Sequence, residues 1–248
     1  KPVKRPPEDP HGLLGAIIEA WSGVGLALPE ADELHWAIRS DIPIGRGLKS
    51  SAALSVACIH ALCDATETEL ENHQIVDISS SAQLACGCSL TGSVDDSWSA
   101  VEPGWKVVDP NLPAAEGVLL EGVIEDAADW VIMIIDRGER EITPDPERFQ
   151  IAAAQFQQAV AAIEQGQVFN AIIQNGRAVA TALNDSMGRK TCNDVGIFGG
   201  RAASISGSGP AIFVIVHKAQ PSSVRRIHQT LKRRGWSIQE TSFWQSEA

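Results

Sequence analysis

The stretch Pro43-Ile44-Gly45-Arg46-Gly47-Leu48-Lys49-Ser50-Ser51-Ala52-Ala53 constrains this chain more than any other, because it joins a glycine turn to the first turn of a helix built from small residues. Pro43 ends the segment before it, and the alanines after Ser51 carry the helix. The first N–H groups of a helix lack intrahelical partners and the macrodipole is positive there, so an anion fits against such a start. The glycines let backbone come close to that anion. A Walker A loop ending at Lys49-Ser50 would need glycine where Pro43 and Leu48 stand, so this is not a P-loop.

With 248 residues, 44% of them hydrophobic, the chain can bury one large core or two modest ones, and two packed domains are expected. A net charge of -11 opposes the basic footprint that nucleic acid or an anionic membrane requires, so neither is expected as a partner. An anionic substrate must then be held by locally placed Lys, Arg and backbone N–H groups. Apolar runs such as that at residues 130–135 are far too short to span a bilayer.

Cys58, Cys63, Cys86, Cys88 and Cys192 lie in apolar helical stretches and read as reduced thiols of a cytoplasmic protein. Cys86-Gly87-Cys88 has too short a spacer for a zinc ligand pair. The chain opens on Lys1-Pro2-Val3-Lys4-Arg5-Pro6-Pro7 without a methionine, and a missing upstream segment is expected.

Apolar residues at helical spacing predict helices over residues 12–21, 50–63, 71–85 and 168–183, and a further helix capped by Asp145, opened by Pro146 and buried along the face from Ile151 to Ile163. Alternation of Leu34, Trp36 and Ile38 with His35, Ala37 and Arg39 predicts a half-buried strand leading to Pro43. Further strands are expected at 105–108, 117–123, 130–135, 203–206, 212–216 and 236–239, and a basic surface helix at 224–231. Residues 184–190 read as a polar loop before a shorter helix through Val195 and Ile197. In the second half, strand, helices, hairpin, helix and strand follow the order of a split βαβ sandwich.

Two more motifs carry chemistry. Thr91-Gly92-Ser93-Val94-Asp95-Asp96 is a tight loop feeding a short helix, and its adjacent carboxylates point differently, so one functional acid and one helix cap are expected. Asp95 is the candidate to accept or orient the proton of a substrate hydroxyl. Ser206-Gly207-Ser208-Gly209-Pro210 is a second small-residue turn that a ligand can approach closely. Ser50 and Ser51 place hydroxyls where they cap the helix or bind phosphate and Mg²⁺.

In this order and spacing, P-x-G-x-G-L-K-S-S-A-A, T-G-S-V-D-D and S-G-S-G-P resemble the galactokinase, homoserine kinase, mevalonate kinase and phosphomevalonate kinase (GHMP) superfamily. Lys49, where the commoner pattern has glycine, together with T-G-x-x-D-D, is similar to the archaeal type of shikimate kinase. The resemblance implies an α+β fold of two domains. Residues 1–127 would be a ribosomal protein S5 domain 2-like nucleotide-binding domain, and residues 128–248 a ferredoxin-like one.

It also implies an ATP- and Mg²⁺-dependent kinase that phosphorylates the 3-hydroxyl of shikimate in aromatic amino acid biosynthesis. Gly45, Arg46, Gly47, Leu48, Lys49, Ser50, Ser51 and Ala52 would wrap the triphosphate, and Ser51 or Ser50 would contact Mg²⁺. Asp95 would be the catalytic carboxylate, and Ser206, Gly207, Ser208 and Gly209 would wall the phosphates from the substrate. Lys49 reads either as charge at the phosphates or as a solvated lysine. Arg137, Arg140 and Arg201 are candidates for the shikimate carboxylate, since a guanidinium pairs bidentately with such a group, and each also reads as a surface charge.

Relatives carry a helical glutamate that helps hold Mg²⁺, whereas Ser81-Ala82-Gln83-Leu84-Ala85 holds no acid, which leaves the metal with fewer protein ligands. Homoserine kinase is the nearest rival, disfavoured by Asp95 and Lys49. A ligand-binding relative without catalysis is a rival of another class, opposed by the retained Asp95.

Overall fold

Leu13, Leu14, Ile17 and Trp21 share one face of the first helix, α1 (Leu13–Gly23), and all four are buried in the structure, a computed structural model that describes residues 9–30, 34–89, 91–140 and 144–245. The side chain of Asp9 accepts the N–H groups of Leu13 and Leu14 at 2.8 and 2.9 Å, which satisfies two orphan donors of that helix. Lys1-Pro2-Val3-Lys4-Arg5-Pro6-Pro7 and Glu33, where the strand expected to lead to Pro43 would begin, lie outside the described residues.

The chain divides into two units, Lys1–Pro43 with Lys49–Gly122, and Ile44–Leu48 with Val123–Ala248. In the first, α1 packs with α2 (Ser50–Thr66) and α3 (Asn72–Ala85) around Ile17, Trp21, Ile59, Leu62, Ile75 and Ile78. Burying each such side chain contributes about 1.5–3 kcal/mol. Glu71 and Gln74 close a capping box that starts α3. The short helix α4 (Asp95–Val101) and the antiparallel pair β1 (Trp105–Val108) and β2 (Val118–Gly122) complete this unit, with Trp98 and Val94 against Val76.

The strand expected through Leu34, Trp36 and Ile38 does not form. Those three residues are half-buried and their neighbours His35, Ala37 and Arg39 exposed, so the alternation is real, and Trp36 and Ile38 pack on the core. A strand also needs a paired neighbouring strand, and among the described residues no sheet includes this segment.

The second unit holds a four-stranded antiparallel sheet in the order β4 (Ala202–Ile205), β5 (Ile212–His217), β3 (Trp130–Asp136), β6 (Ser237–Thr241). The apolar run of β3 suits its interior position. Met133 and Ile135, opposite Val214 and Ile212, turn to a core closed by Val179, Val195, Ile227 and Leu231 of the helices. Those helices are α7 (Val168–Ala182), α8 (Ser186–Ile197) and α9 (Pro221–Lys232).

Two helix expectations change. The helix opened by Pro146 stops after one and a half turns as α5 (Pro146–Ile151) and resumes as α6 (Ala153–Glu164), leaving Ile151 exposed rather than buried. The expected polar loop at 184–190 is mostly helix, because Asp185 is an N-cap that accepts the N–H of Gly188 at 2.7 Å and starts α8 at Ser186. All five cysteines are free thiols. Among the described residues no helix is long and apolar enough to cross a membrane.

Asp185 also pairs with the guanidinium of Arg137, whose side chain is only 8% exposed. Burial pushes the Asp185 carboxyl up, but the hydrogen bonds and charge of Arg137 and the N–H of Gly188 outweigh it and hold the group below its ordinary range. The pair therefore stabilises the fold above the ordinary carboxylate pKa, and that contribution is lost as pH falls through the depressed value. Asp185→Asn is expected to lower unfolding stability by about 2–4 kcal/mol at pH 7, since it leaves a buried guanidinium charge uncompensated. Urea unfolding of both proteins at neutral and acid pH checks this, with the difference shrinking toward low pH.

Candidate functional site

In the first unit three helix ends come together. Lys49 precedes α2 in a left-handed conformation, φ 60 and ψ 32, and no side chain caps the first turn of that helix. Its leading N–H groups are thus left to an external acceptor or solvent. The Ser51 hydroxyl donates to Oε1 of Gln83 on α3 at 2.8 Å. Gln83 is 2% exposed, and its Nε2 donates to Oγ of Ser97 on α4 at 3.1 Å and to Oγ of Ser79 at 3.3 Å. Ser97 in turn donates to Ser79 at 2.9 Å, and Ser80 to Ser97 at 3.2 Å. A buried hydroxyl and amide network therefore joins the start of α2, the end of α3 and the start of α4.

Asp95 and Asp96 occupy the first turn of α4 behind Val94, with neither acting as the side-chain cap. Gly92, at φ +70, and Thr91 shape the turn before them, with Thr91 accepting the N–H of Ser93 at 3.2 Å. Asp95 is exposed and Asp96 half-buried. The ammonium of Lys49 forms an ion pair with Oδ1 of Asp96. Burial pushes the Asp96 carboxyl up to about 6; Lys49 opposes that rise and the neighbouring Asp95 adds to it. The Lys49 head group is thus engaged by Asp96 while about a third of the side chain, 34%, stays exposed.

In the second unit the glycine loop and the serine-glycine turn come together. Gly45 and Gly47 have φ of 72 and 75. The Gly45 carbonyl accepts the N–H of Arg140 at 3.1 Å, the Arg46 carbonyl that of Ala211 at 3.0 Å, and the Gly47 carbonyl the Ser206 hydroxyl at 2.8 Å. The Arg46 guanidinium bonds to Asp136 at 3.0 Å. Arg140 donates to Oγ of Ser208 at 2.6 Å and to the carbonyl of Gly209 at 2.9 Å.

The three candidate arginines therefore part company. Arg140 shares the loop and the turn. Arg137 reaches the Pro210 carbonyl beside them, but its charge is committed to Asp185. Arg201 precedes β4 and lies over the Phe169 ring, 4.8 Å from its centroid.

Gln83 has no role in the sequence motifs, which mark only that residues 81–85 hold no acid. A polar run, Ser79-Ser80-Ser81 followed by Gln83, inside an otherwise apolar helical face was the available signal. Among the described residues no group of three or more His, Cys, Asp or Glu could enclose a metal. The oxygens present still fit Mg²⁺, an ion that keeps waters and phosphate oxygens and takes few protein ligands. Because Ser51 spends its proton on Gln83, its lone pairs are what remain to offer, and lone pairs suit a cation.

Residues 14–102 match the family model of the GHMP kinases N terminal domain. Among curated proteins it is similar to the shikimate kinase of Methanothermobacter thermautotrophicus, 26% identical over 190 residues that cover 75% of this chain and 64% of that one. The shikimate kinase of Methanothrix thermoacetophila is 31% identical over 185 residues, covering 72% of this chain and 59% of that one. The chain spans less than two thirds of the length of either relative. Homoserine kinase from Cytophaga hutchinsonii superposes with a TM-score of 0.63 at 18% identity, covering 97% of this chain and 78% of that one. That likeness shows the fold, a mixed α/β arrangement with two sheets.

A Cβ on Gly47 would lie 2.5 Å from the Gly209 carbonyl oxygen and 2.7 Å from that of Ser206, whereas one on Gly45 would meet nothing within 4 Å. Both positions carry a positive φ, which costs a non-glycine residue about 1 kcal/mol. Gly47→Ala is expected to destabilise by about 2 kcal/mol or more and Gly45→Ala by about half that, the excess being the backbone clash. Urea unfolding midpoints of the two variants test the difference.

Proposed function

We propose that this chain is the kinase portion of an ATP-dependent shikimate kinase, transferring the γ-phosphoryl group of ATP to the shikimate 3-hydroxyl. What carries the phosphoryl-transfer part is the arrangement within the first unit, where the uncapped start of α2 and the exposed Asp95 belong to helix ends joined by one buried network. What carries the choice of shikimate is the similarity to two proteins named shikimate kinase. We read residues 1–127 as an S5 domain 2-like nucleotide-binding domain and residues 128–248 as ferredoxin-like. Five free thiols support a cytoplasmic location.

In this reading the N–H groups of Ser50, Ser51 and Ala52 and the α2 dipole hold phosphate oxygens. For the second unit we assign Gly45, Arg46, Gly47 and Leu48, with Ser206, Gly207, Ser208 and Gly209, to the phosphates as well, as a loop and a turn packed on each other. Ser51, or Ser50 beside it, would hold Mg²⁺, which when bound offsets negative charge on the transferring phosphates. Asp95 takes the proton from the hydroxyl as that oxygen forms its bond to the γ-phosphorus and the bond to the bridging oxygen of ADP breaks. Arg140 is the arginine we assign to the shikimate carboxylate, because Arg137 is committed to Asp185.

Full-length protein with ATP, Mg²⁺ and either shikimate or homoserine, followed by coupled ADP release, is expected to turn over with shikimate; turnover with homoserine alone overturns the substrate assignment. Asp95→Ala is expected to lower kcat by about a hundredfold or more while the nucleotide Kd from calorimetry stays within about threefold. Turnover at the wild-type rate in that variant would remove Asp95 from the mechanism.

A further inference from the structure

We propose that Lys49 and Asp96 act together as a positioning pair that aims Asp95, and that Lys49 is not a phosphate ligand. The inference rests on the kinase reading above. Three observations within the first unit lead to it.

Lys49 holds a left-handed backbone conformation, φ 60, that the same segment assigns to glycine at Gly45 and Gly47. A non-glycine residue there costs about 1 kcal/mol, so something in the lysine side chain offsets the strain. That side chain runs to Asp96, with 34% of its own surface and 25% of its partner's exposed, and it carries the single cation paired to Asp96 among the described residues. The carboxylate offsets the ammonium's charge in this site, which favours a positioning role over a phosphate contact.

The third observation is direction. Lys49 is the residue before α2 and Asp96 the second residue of α4, so the ion pair ties two helix starts together. Successive residues of a helix point about 100° apart at 3.6 residues per turn. Asp96 turns toward Lys49 yet stays within hydrogen-bond reach of Asp95, the exposed one of the two, so whatever holds Asp96 also holds Asp95. The buried network through Gln83 already fastens the same helix starts from inside, so the ion pair is not needed merely to hold them together. Its distinct effects are to fix the rotation of the first turn of α4 and to neutralise the negative charge beside Asp95. Two unusual features of the sequence, a lysine in place of glycine and a doubled aspartate, thereby become one device.

The test compares Lys49→Gly, Asp96→Asn, the double variant and Lys49→Arg in the full-length protein, each with urea unfolding, steady-state kinetics and calorimetric ADP binding. Each single variant is expected to lose about tenfold or more in kcat, with the KM for ATP and the ADP Kd within about threefold, as for an interaction felt in the transition state. The double variant should be no worse than the poorer single one, and Lys49→Arg should recover much of the loss because arginine still reaches the carboxylate.

Lys49→Gly relieves the left-handed strain and is expected to stay folded, so it and Lys49→Arg carry the comparison if Asp96→Asn unfolds. A tenfold rise in the KM for ATP with kcat intact makes Lys49 a phosphate ligand and overturns the proposal, as do losses that multiply in the double variant. If wild-type protein itself phosphorylates no hydroxyl acceptor, the kinase reading fails and this inference fails with it, an outcome that the wild-type control alone identifies.

Discussion

The buried side chain of Gln83 sets the geometry on which the first unit depends. An amide taken out of water costs about 1–3 kcal/mol for each hydrogen bond it fails to make. Gln83 avoids that cost only when Ser51, Ser79 and Ser97 all stand within reach, and these residues come from three helices. An apolar contact tolerates sliding, whereas these bonds fail within a few tenths of an ångström. The polar cluster thus registers α2, α3 and α4 against one another, and the apolar core around Ile17, Trp21 and Ile59 supplies the stability that such registration does not.

The second unit reaches comparable definition by another means. Its glycine loop carries no buried side-chain network; three backbone carbonyls in a row are taken by Arg140, Ala211 and Ser206. Gly47 permits this because any Cβ would strike the carbonyls of the facing turn. The glycine requirement is therefore steric at Gly47 and purely conformational at Gly45, a distinction that φ alone, 75 against 72, does not reveal.

Periodicity carried most of the fold into view, since α1, α2, α3, α7 and the interior strand β3 follow from the spacing of their apolar residues. Where reading failed, the missing information was non-local or was overruled by a single cap. Leu34, Trp36 and Ile38 alternate as a strand does, but pairing depends on a neighbour that no local pattern encodes. Asp185 carried the cap signal for α8, and the polar residues behind it masked the helix. The site was legible as motifs, because glycines and serines at a helix start have a local physical meaning. Pairings such as Lys49 with Asp96 or Arg137 with Asp185 were not, because each joins residues distant in sequence through side chains of common surface type.

Those pairings bear on how a chain of net charge -11 would hold a polyanion. Of the cations near the motifs, Lys49 is matched by Asp96, Arg46 by Asp136 and Arg137 by Asp185, while Arg140 faces a hydroxyl and a carbonyl instead. On the proposed function, binding the triphosphate then falls mainly to oriented N–H groups, the α2 dipole and the metal. These charges do not reorganise and are weakly screened, since they act at contact distance rather than across a Debye length of about 8 Å. On that proposal, cations paired internally would also hold a phosphorylated product less tightly than free ones, since each already has a carboxylate to offset its charge.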